Sequence, residues 1–355
     1  MILEQSLPAK PKILIVLIAG IGDVVLASPG IRALRNGHPD AEIHLLTSAE
    51  AAPLAVSCPY IDHVYSFPIR QMRKSKKFLF EMIEIAMVLR KIPFTAIVNL
   101  YQVCSFAGAA KMGLLFCLLR GESKFGHDRY GFGMFLDQGV AADAFTGRHV
   151  VEAMVDIAAL AGGMPDQRGT EVFWNEETKA KWKDFFSETT GEIVVGINPG
   201  GDRENRRWRP DRFAGVAVQM VERYNARIVL LGGPTERHIA ADIAGRIKYD
   251  VSDLSGKIQI EELPYVISRF DLLITNDSGP MHIAAATKTP LVVLFGPEDP
   301  TLFGPYTKPE LCRVIYKGGP GLIGRKKNKA GISLLDRITP EDVFAASIEL
   351  LGLRK

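Results

Sequence analysis

Cysteine is scarce in this chain and its spacing carries no framework. Cys58, Cys104, Cys117 and Cys312 are the whole set in 355 residues, none forms CxxC, and no His/Cys group has zinc-finger spacing. A disulfide scaffold does not suit a chain this long, so reduced thiols are expected. Long apolar runs are missing too. The run near the start, Ile13 to Ala19, has seven residues against the ~20 that span a bilayer. It reads as a buried parallel strand and not as a signal or an anchor, which predicts a soluble chain, at most peripheral to a membrane. Neither charge sign dominates: 43 Lys+Arg against 40 Asp+Glu give +3, which argues against a nucleic-acid partner. There is no GxxxxGK[ST] loop, and the first glycine turn, AGIGD (19–23), is not GxGxxG. Both absences weigh against an NTPase or a dinucleotide oxidoreductase.

What is present is apolar residue in quantity, 47% of the chain, enough to bury real cores. The length favours two domains. Short apolar strands alternate with helical patterns: KILIVLI (12–18), AEIHLLT (41–47), HVYSFP (63–68) and FTAIVNL (94–100) in the first half, with helices at 24–39, 78–92 and 149–163. EIVVGINPG (192–200) repeats the opening logic of strand into glycine turn. ARIVLLGG (226–233), DLLITNDSG (271–279) and PLVVLFGP (290–297) follow as strands, with helices at 179–186, 235–247, 262–270, 280–288 and 340–352. This predicts an α/β chain of two Rossmann-like domains, 1–175 and 176–355, each built on a twisted parallel sheet. The last helix could pack back on the first domain. Residues 121–148 read as loops lining a cleft, and KGGPGLIGRKKNK (317–329) as a mobile loop.

The candidate chemistry lies where strands end in polar turns. Asp23 opens the helix after AGIGD. It is either a first-turn acid that satisfies helix N–H groups or a carboxylate at the ligand-binding edge of a parallel sheet, able to take a proton from a hydroxyl. NPGGDRENRRWRP (198–210) sets Gly200 and Gly201 before Arg203, Arg206, Arg207 and Arg209, a combination that suits a diphosphate. A solvated charged loop is the alternative, with Trp208 its packing anchor. In TNDSGPMHIAAA (275–286), Asp277, Ser278, Gly279, Pro280, Met281 and His282 carry a strand end into a helix start, a natural phosphate cradle. Glu236, in GGPTERH, is placed either to accept ribose hydroxyls or to sit in a helix's first turn. FGPEDP (295–300) is a third loop on that edge. RQMRKSKK (70–77) holds Arg70, Arg73, Lys74, Lys76 and Lys77 without an acid. It is either a solubilising segment or a surface for an anionic acceptor or lipid.

Taken together, GDVVLASPGIRALR (22–35), NPG (198–200) with RRW (206–208), LLGGPTE (230–236), NDSGPMHIAAA (276–286) and FGPEDP (295–300) resemble, in order, the ADP-heptose:lipopolysaccharide heptosyltransferase family. The resemblance implies a GT-B fold, two Rossmann-like domains facing across a cleft, with the donor mainly in the C-terminal one. It implies inverting, metal-independent transfer from a nucleotide sugar, with no cofactor and ADP-heptose as co-substrate. By position Asp23 matches the proposed base. Arg206 matches a donor-phosphate contact that is usually lysine, and Glu236 the ribose-binding acid. Asp277, Gly279 and His282 match the donor-sugar loop. Gly22, Arg120 and the basic stretch 70–77 fall in the acceptor half. An anionic glycolipid acceptor and a cytoplasmic location, with contact to the inner membrane's cytoplasmic face, follow as expectations. Arg206 in place of Lys, and the absence of Arg or Lys in residues 18–21, depart from the pattern and leave donor sugar and acceptor open. A nucleotide-sugar epimerase or hydrolase of the same fold, and a non-catalytic sugar-nucleotide or glycolipid binder, are the rival readings.

Overall fold

A computed structural model describes residues 10–68, 77–103, 105–128, 131–141, 147–187, 192–318 and 334–352. Contacts within the chain divide it into two units. The first is Met1–Gly20 with Ala27–Arg168, and the second is Ile21–Leu26 with Gly169–Lys355. The division after Arg168 precedes the expected boundary because the connecting stretch packs onto the second unit: the Trp174 ring lies edge-on against Tyr265, with centroids 5.9 Å apart.

The first sheet has six parallel strands: β1 (Lys12–Leu17), β2 (Glu42–Ser48), β3 (His63–Phe67), β4 (Phe94–Asn99), β5 (Gly121–Asp128) and β6 (Gln138–Ala141), in the order β3-β2-β1-β4-β5-β6. Its helices are α1 (Ile21–Gly37), α2 (Ala52–Val56), α3 (Lys77–Leu89), α4 (Phe106–Leu118) and α5 (Val150–Leu160). The apolar run of β1 is buried from Ile13 to Leu17, as a central strand covered on both faces requires. Met82, Ala86 and Leu89 of α3 and Met112, Leu115 and Phe116 of α4 pack with Leu14, Val16 and Ile97 in one core. Arg32 of α1, almost fully buried, grips both Asp166 oxygens at 2.7–3.1 Å. That hydrogen-bonded guanidinium holds the Asp166 carboxyl well below the usual range against the opposing effect of burial.

Residues 121–148 correct the loop expectation, since β5 and β6 lie within them. GESKFGHD forms a strand despite its polar look because β4 pairs with it through Phe94, Ala96, Ile97 and Val98. Only two residues of β5 are fully buried, so no apolar run betrays it.

The second sheet repeats the plan. β7 (Val194–Asn198), β8 (Arg227–Leu230), β9 (Val251–Asp253), β10 (Leu272–Asn276), β11 (Leu291–Phe295) and β12 (Cys312–Tyr316) are all parallel, in the order β12-β11-β10-β7-β8-β9. Around it lie α6 (Glu176–Ser187), α7 (Pro210–Tyr224), α8 (Arg237–Arg246), α9 (Leu263–Ser268), α10 (Gly279–Thr287), α11 (Pro300–Phe303) and α12 (Pro340–Leu350). Val343, Phe344, Ala346 and Ile348 of α12 join the second unit's core beside Trp208, Phe213 and Ile274. The last helix is therefore part of the second unit's own core. Counted from their own first strands, both sheets have the doubly wound order 3-2-1-4-5-6. The direction in which strands are added reverses between β1 and β4 in one and between β7 and β10 in the other, and such switch points form ligand crevices at the strands' carboxyl ends.

Candidate functional site

The carboxyl ends of β7 and β10 are joined by two buried asparagines. Asn198 Nδ2 donates to Thr275 Oγ1 at 3.0 Å and to Ser278 Oγ at 3.1 Å. Asn276 Nδ2 donates to the carbonyls of Pro199 and Gly200 at 2.8 and 3.2 Å, while its Oδ1 accepts from Trp208 N at 3.1 Å. These bonds fix the Gly200–Gly201 backbone against the start of α10 and the loop of arginines. Trp208 is the packing anchor of that loop. It is buried, its ring sits edge-on to Phe213, and its Nε1 donates to Ile338 O at 3.1 Å.

Three acids and one arginine shape this edge. Glu236, at the end of the short 3₁₀ turn Pro234–Glu236, accepts from the amides of Gly201 and Gly233, each at 2.8 Å. A Cβ at Gly200 would run into that carboxylate, so glycine lets the acid lie flat on the turn. Arg206 pairs with Asp277 at 3.5 Å and with Glu298. Asp277 is buried. Burial pushes its carboxyl up to about 6; the Arg206 charge resists, and the negative charges of Glu298 and Asp202 reinforce the rise.

α10 begins at Gly279 with Pro280 in its first turn, where proline's missing N–H is harmless. Ser278 spends its hydroxyl on Asn276 O at 3.2 Å and makes no side-chain cap. The positive end of this helix thus abuts the Gly200–Gly201 turn, an arrangement suited to an anion. Met281 and His282 are buried in the same turn. Arg203 is exposed, its carbonyl taking the Arg206 N–H at 2.9 Å. The structure therefore brings Gly200, Gly201, Arg206, Glu236, Asp277, Ser278 and Gly279 to one strand edge. Sequence reasoning missed the tying roles of Asn198, Thr275 and Asn276, and Glu298 as the second partner of Arg206.

In the first sheet, Gly22 and Asp23 lie in the first turn of α1, just beyond the carboxyl end of β1 at the switch point, and Asp23 is half-buried. Arg120 is not brought to them. It directly precedes β5 and its carbonyl accepts from Phe94 N, at the start of β4, which is the opposite edge of the sheet. Arg70, Arg73, Lys74 and Lys76 lie outside the described residues, as do residues 319–329 of the expected mobile loop. Lys77 opens α3 and its side chain is not among those described. The chain enters the basic segment from the carboxyl end of β3, the same edge as Asp23.

The model of a family described as glycosyltransferase family 9 (heptosyltransferase) matches residues 102–318. Lipopolysaccharide heptosyltransferase 3 of Escherichia coli (strain K12) is 26% identical over 345 residues, covering 93% of this chain and 95% of that protein. Among solved structures, the glycosyl transferase family 9 from Veillonella parvula DSM 2008 superposes with a TM-score of 0.83 at 24% identity, over 97% of this chain and 98% of the other. The structure of E. coli ADP-heptose lps heptosyltransferase II gives 0.76 at 22% identity, over 96% and 98%. At such identities these two likenesses establish the fold, two parallel-sheet domains of the GT-B kind.

Proposed function

This chain belongs to glycosyltransferase family 9, the heptosyltransferases, and from that premise we propose that it transfers heptose from ADP-heptose to an inner-core lipopolysaccharide acceptor, with inversion and without a metal. The observation that carries the donor half of this reading is the meeting of a glycine turn, a helix start and Arg206 at the β7/β10 switch point. As the glycosidic bond to the leaving nucleotide breaks, negative charge grows on the diphosphate. Fixed amide dipoles and a guanidinium can stabilise that charge without reorganising. The Glu236 carboxylate, held by two amides, keeps lone-pair positions for a ribose diol. Asp277 orients the donor-sugar loop, and Gly201 and Arg203 border the phosphates.

On the acceptor side, Asp23 takes the proton of the attacking hydroxyl as that oxygen bonds to the sugar's anomeric carbon, opposite the departing ADP. Gly22 leaves room for the His282 ring, into which a Cβ there would run, and the basic residues of segment 70–77 meet the acceptor's phosphates or carboxylates. We further propose that the chain docks peripherally on the cytoplasmic face of the inner membrane. No helix among the described residues is long and apolar enough to cross a bilayer. However, Phe80, Ile83 and Met87 of α3 and Phe106 and Leu114 of α4 are exposed apolar residues on neighbouring helices, and α3 follows directly on the basic run. An apolar face flanked by cations matches an anionic lipid surface.

Calorimetry with ADP and with UDP tests the donor assignment. ADP should bind and UDP should bind far more weakly. Tight UDP binding with none for ADP would overturn it.

A further inference from the structure

The other edge of the first sheet holds a group that transfer does not use. Glu42 and His44 stand two residues apart on β2, so their side chains share a face of the sheet, and His63 of β3 is the register partner of His44. One ligand atom from each of the three lies within 4.8 Å of the others. The rings of His44 and His63 stack with centroids 4.5 Å apart and planes at 28°. The His44 side chain is only 3% exposed. Its Nδ1 is 3.3 Å from the Tyr65 hydroxyl, which fixes the ring, and Nε2 is buried with no hydrogen-bond partner among the described residues. Glu42 Oε2 is 3.7 Å from that Nε2, too far for a hydrogen bond. A buried imidazole nitrogen without a partner is a costly arrangement, and here it faces a carboxylate and a second imidazole.

We propose that Glu42, His44 and His63 form a binding site for one divalent transition ion, zinc by preference, that clamps the edge strand β3 to β2. Two imidazoles and a carboxylate are a ligand set that such ions accept, with water completing the shell. Ligands about 2.0–2.1 Å from zinc stand roughly 3.4 Å apart in a tetrahedron. The present spread therefore closes by a little over an ångström, within reach of exposed His63 and half-buried Glu42. His44 stays in place and presents Nε2, while its Nδ1–H donates to Tyr65, the outer partner that a ligating histidine needs. One competitor is built in: Lys12 Nζ donates to Glu42 Oε2 at 2.5 Å and must share or yield that carboxylate. Lys12, Glu42 and His63 sit at the amino ends of β1, β2 and β3, the edge opposite Asp23, so the ion serves the strand pairing and not the transfer. The sequence hides this site because one of its histidines arrives from a neighbouring strand.

The test uses the full chain, without an affinity tag and stripped of metal by chelator. It is titrated with cobalt(II) by absorption and then with zinc in competition. One equivalent should bind, with ligand-field bands and no thiolate charge-transfer band. His63→Asn, at an exposed position, should weaken binding at least about tenfold and abolish the rise in unfolding midpoint that zinc gives the parent. Lys12→Gln should tighten binding by removing the competing ammonium. Sugar transfer by His63→Asn should equal the parent's. Absence of saturable one-equivalent binding, equal affinity in His63→Asn, or a thiolate band tracing the ion to one of the four cysteines would each overturn the site.

Discussion

Asp277 carries the clearest sign that a residue is held in place against the demands of stability. Its carboxyl ionises at 3.8 ordinarily but at about 6 here, chiefly through burial. Below 3.8 the folded and unfolded chains are both protonated at this site and nothing is lost. As pH rises from there to about 6, the unfolded chain gives up its proton and the folded chain keeps it, so stability falls; beyond about 6 the loss is constant. Asp277→Asn removes that loss. It should leave stability near the parent's in acid and exceed it at neutral pH by at most on the order of 3 kcal/mol. Urea midpoints across this pH range check the sign, and a difference that does not grow with pH would refute it. Asp23 makes the opposite case, where stability should hardly move. Asp23 stands in the first turn of α1, where a carboxylate's charge is worth only about 0.3–1 kcal/mol, so Asp23→Asn should shift the unfolding midpoint little and keep the affinity for ADP. Its kcat should fall by ~10²–10⁴-fold, the usual worth of a positioned base. A kcat within a few-fold of the parent's would remove Asp23 from the mechanism. Both acids were legible because each follows an apolar strand into a turn. Asn198 and Asn276 were not legible as ties, because their partners stand about 77 residues away in the chain, and only the parallel pairing of β7 with β10 brings them together.

At the scale of elements, pattern worked where burial is complete and was uneven where it is partial: β3, mostly not buried, still read as a strand. β1, β7, β10 and β11 are buried almost throughout and read directly as apolar runs. β5 and the edge strand β6 have mixed exposure and gave no such run. Residues 210–224 received no element, although α7 has Pro210 in its first turn and ends on Asn225 in the left-handed conformation, φ 50°, both ordinary helix punctuation. The dense charge just before it drew the reading toward a loop. α3 carries more apolar residues than one buried face takes. Its apolar residues face inward at Met82, Ala86 and Leu89 and outward at Phe80, Ile83 and Met87. The outward set is the basis of the docking proposal. Replacing Phe80 and Met87 together by Glu should sharply reduce co-sedimentation with anionic vesicles and leave ADP affinity unchanged. Undiminished sedimentation would show that this face has another role.

On the scale of the whole molecule, one plan is used twice. The recurrence of strand, glycine turn and helix at residues 12–39 and again from 192 announced two α/β halves, and both sheets have the same doubly wound order. The proposed site residues fall at equivalent places, with Asp23 after the first strand of one sheet and Gly200–Gly201 after the first strand of the other. A duplicated switch point suits a reaction between two substrates, one nucleotide-bearing and one carrying the nucleophile. An epimerase or a hydrolase would instead turn over its nucleotide sugar alone. The acceptor dependence of ADP release separates these cases most directly, measured with ADP-heptose in excess chelator, with and without a heptose-deficient lipopolysaccharide precursor. Rapid release of ADP is expected with the precursor, matched one for one by heptose added to it, and almost none without it. Release at the same rate without the precursor, or release that stops in chelator and returns with Mg²⁺ or Mn²⁺, would contradict it.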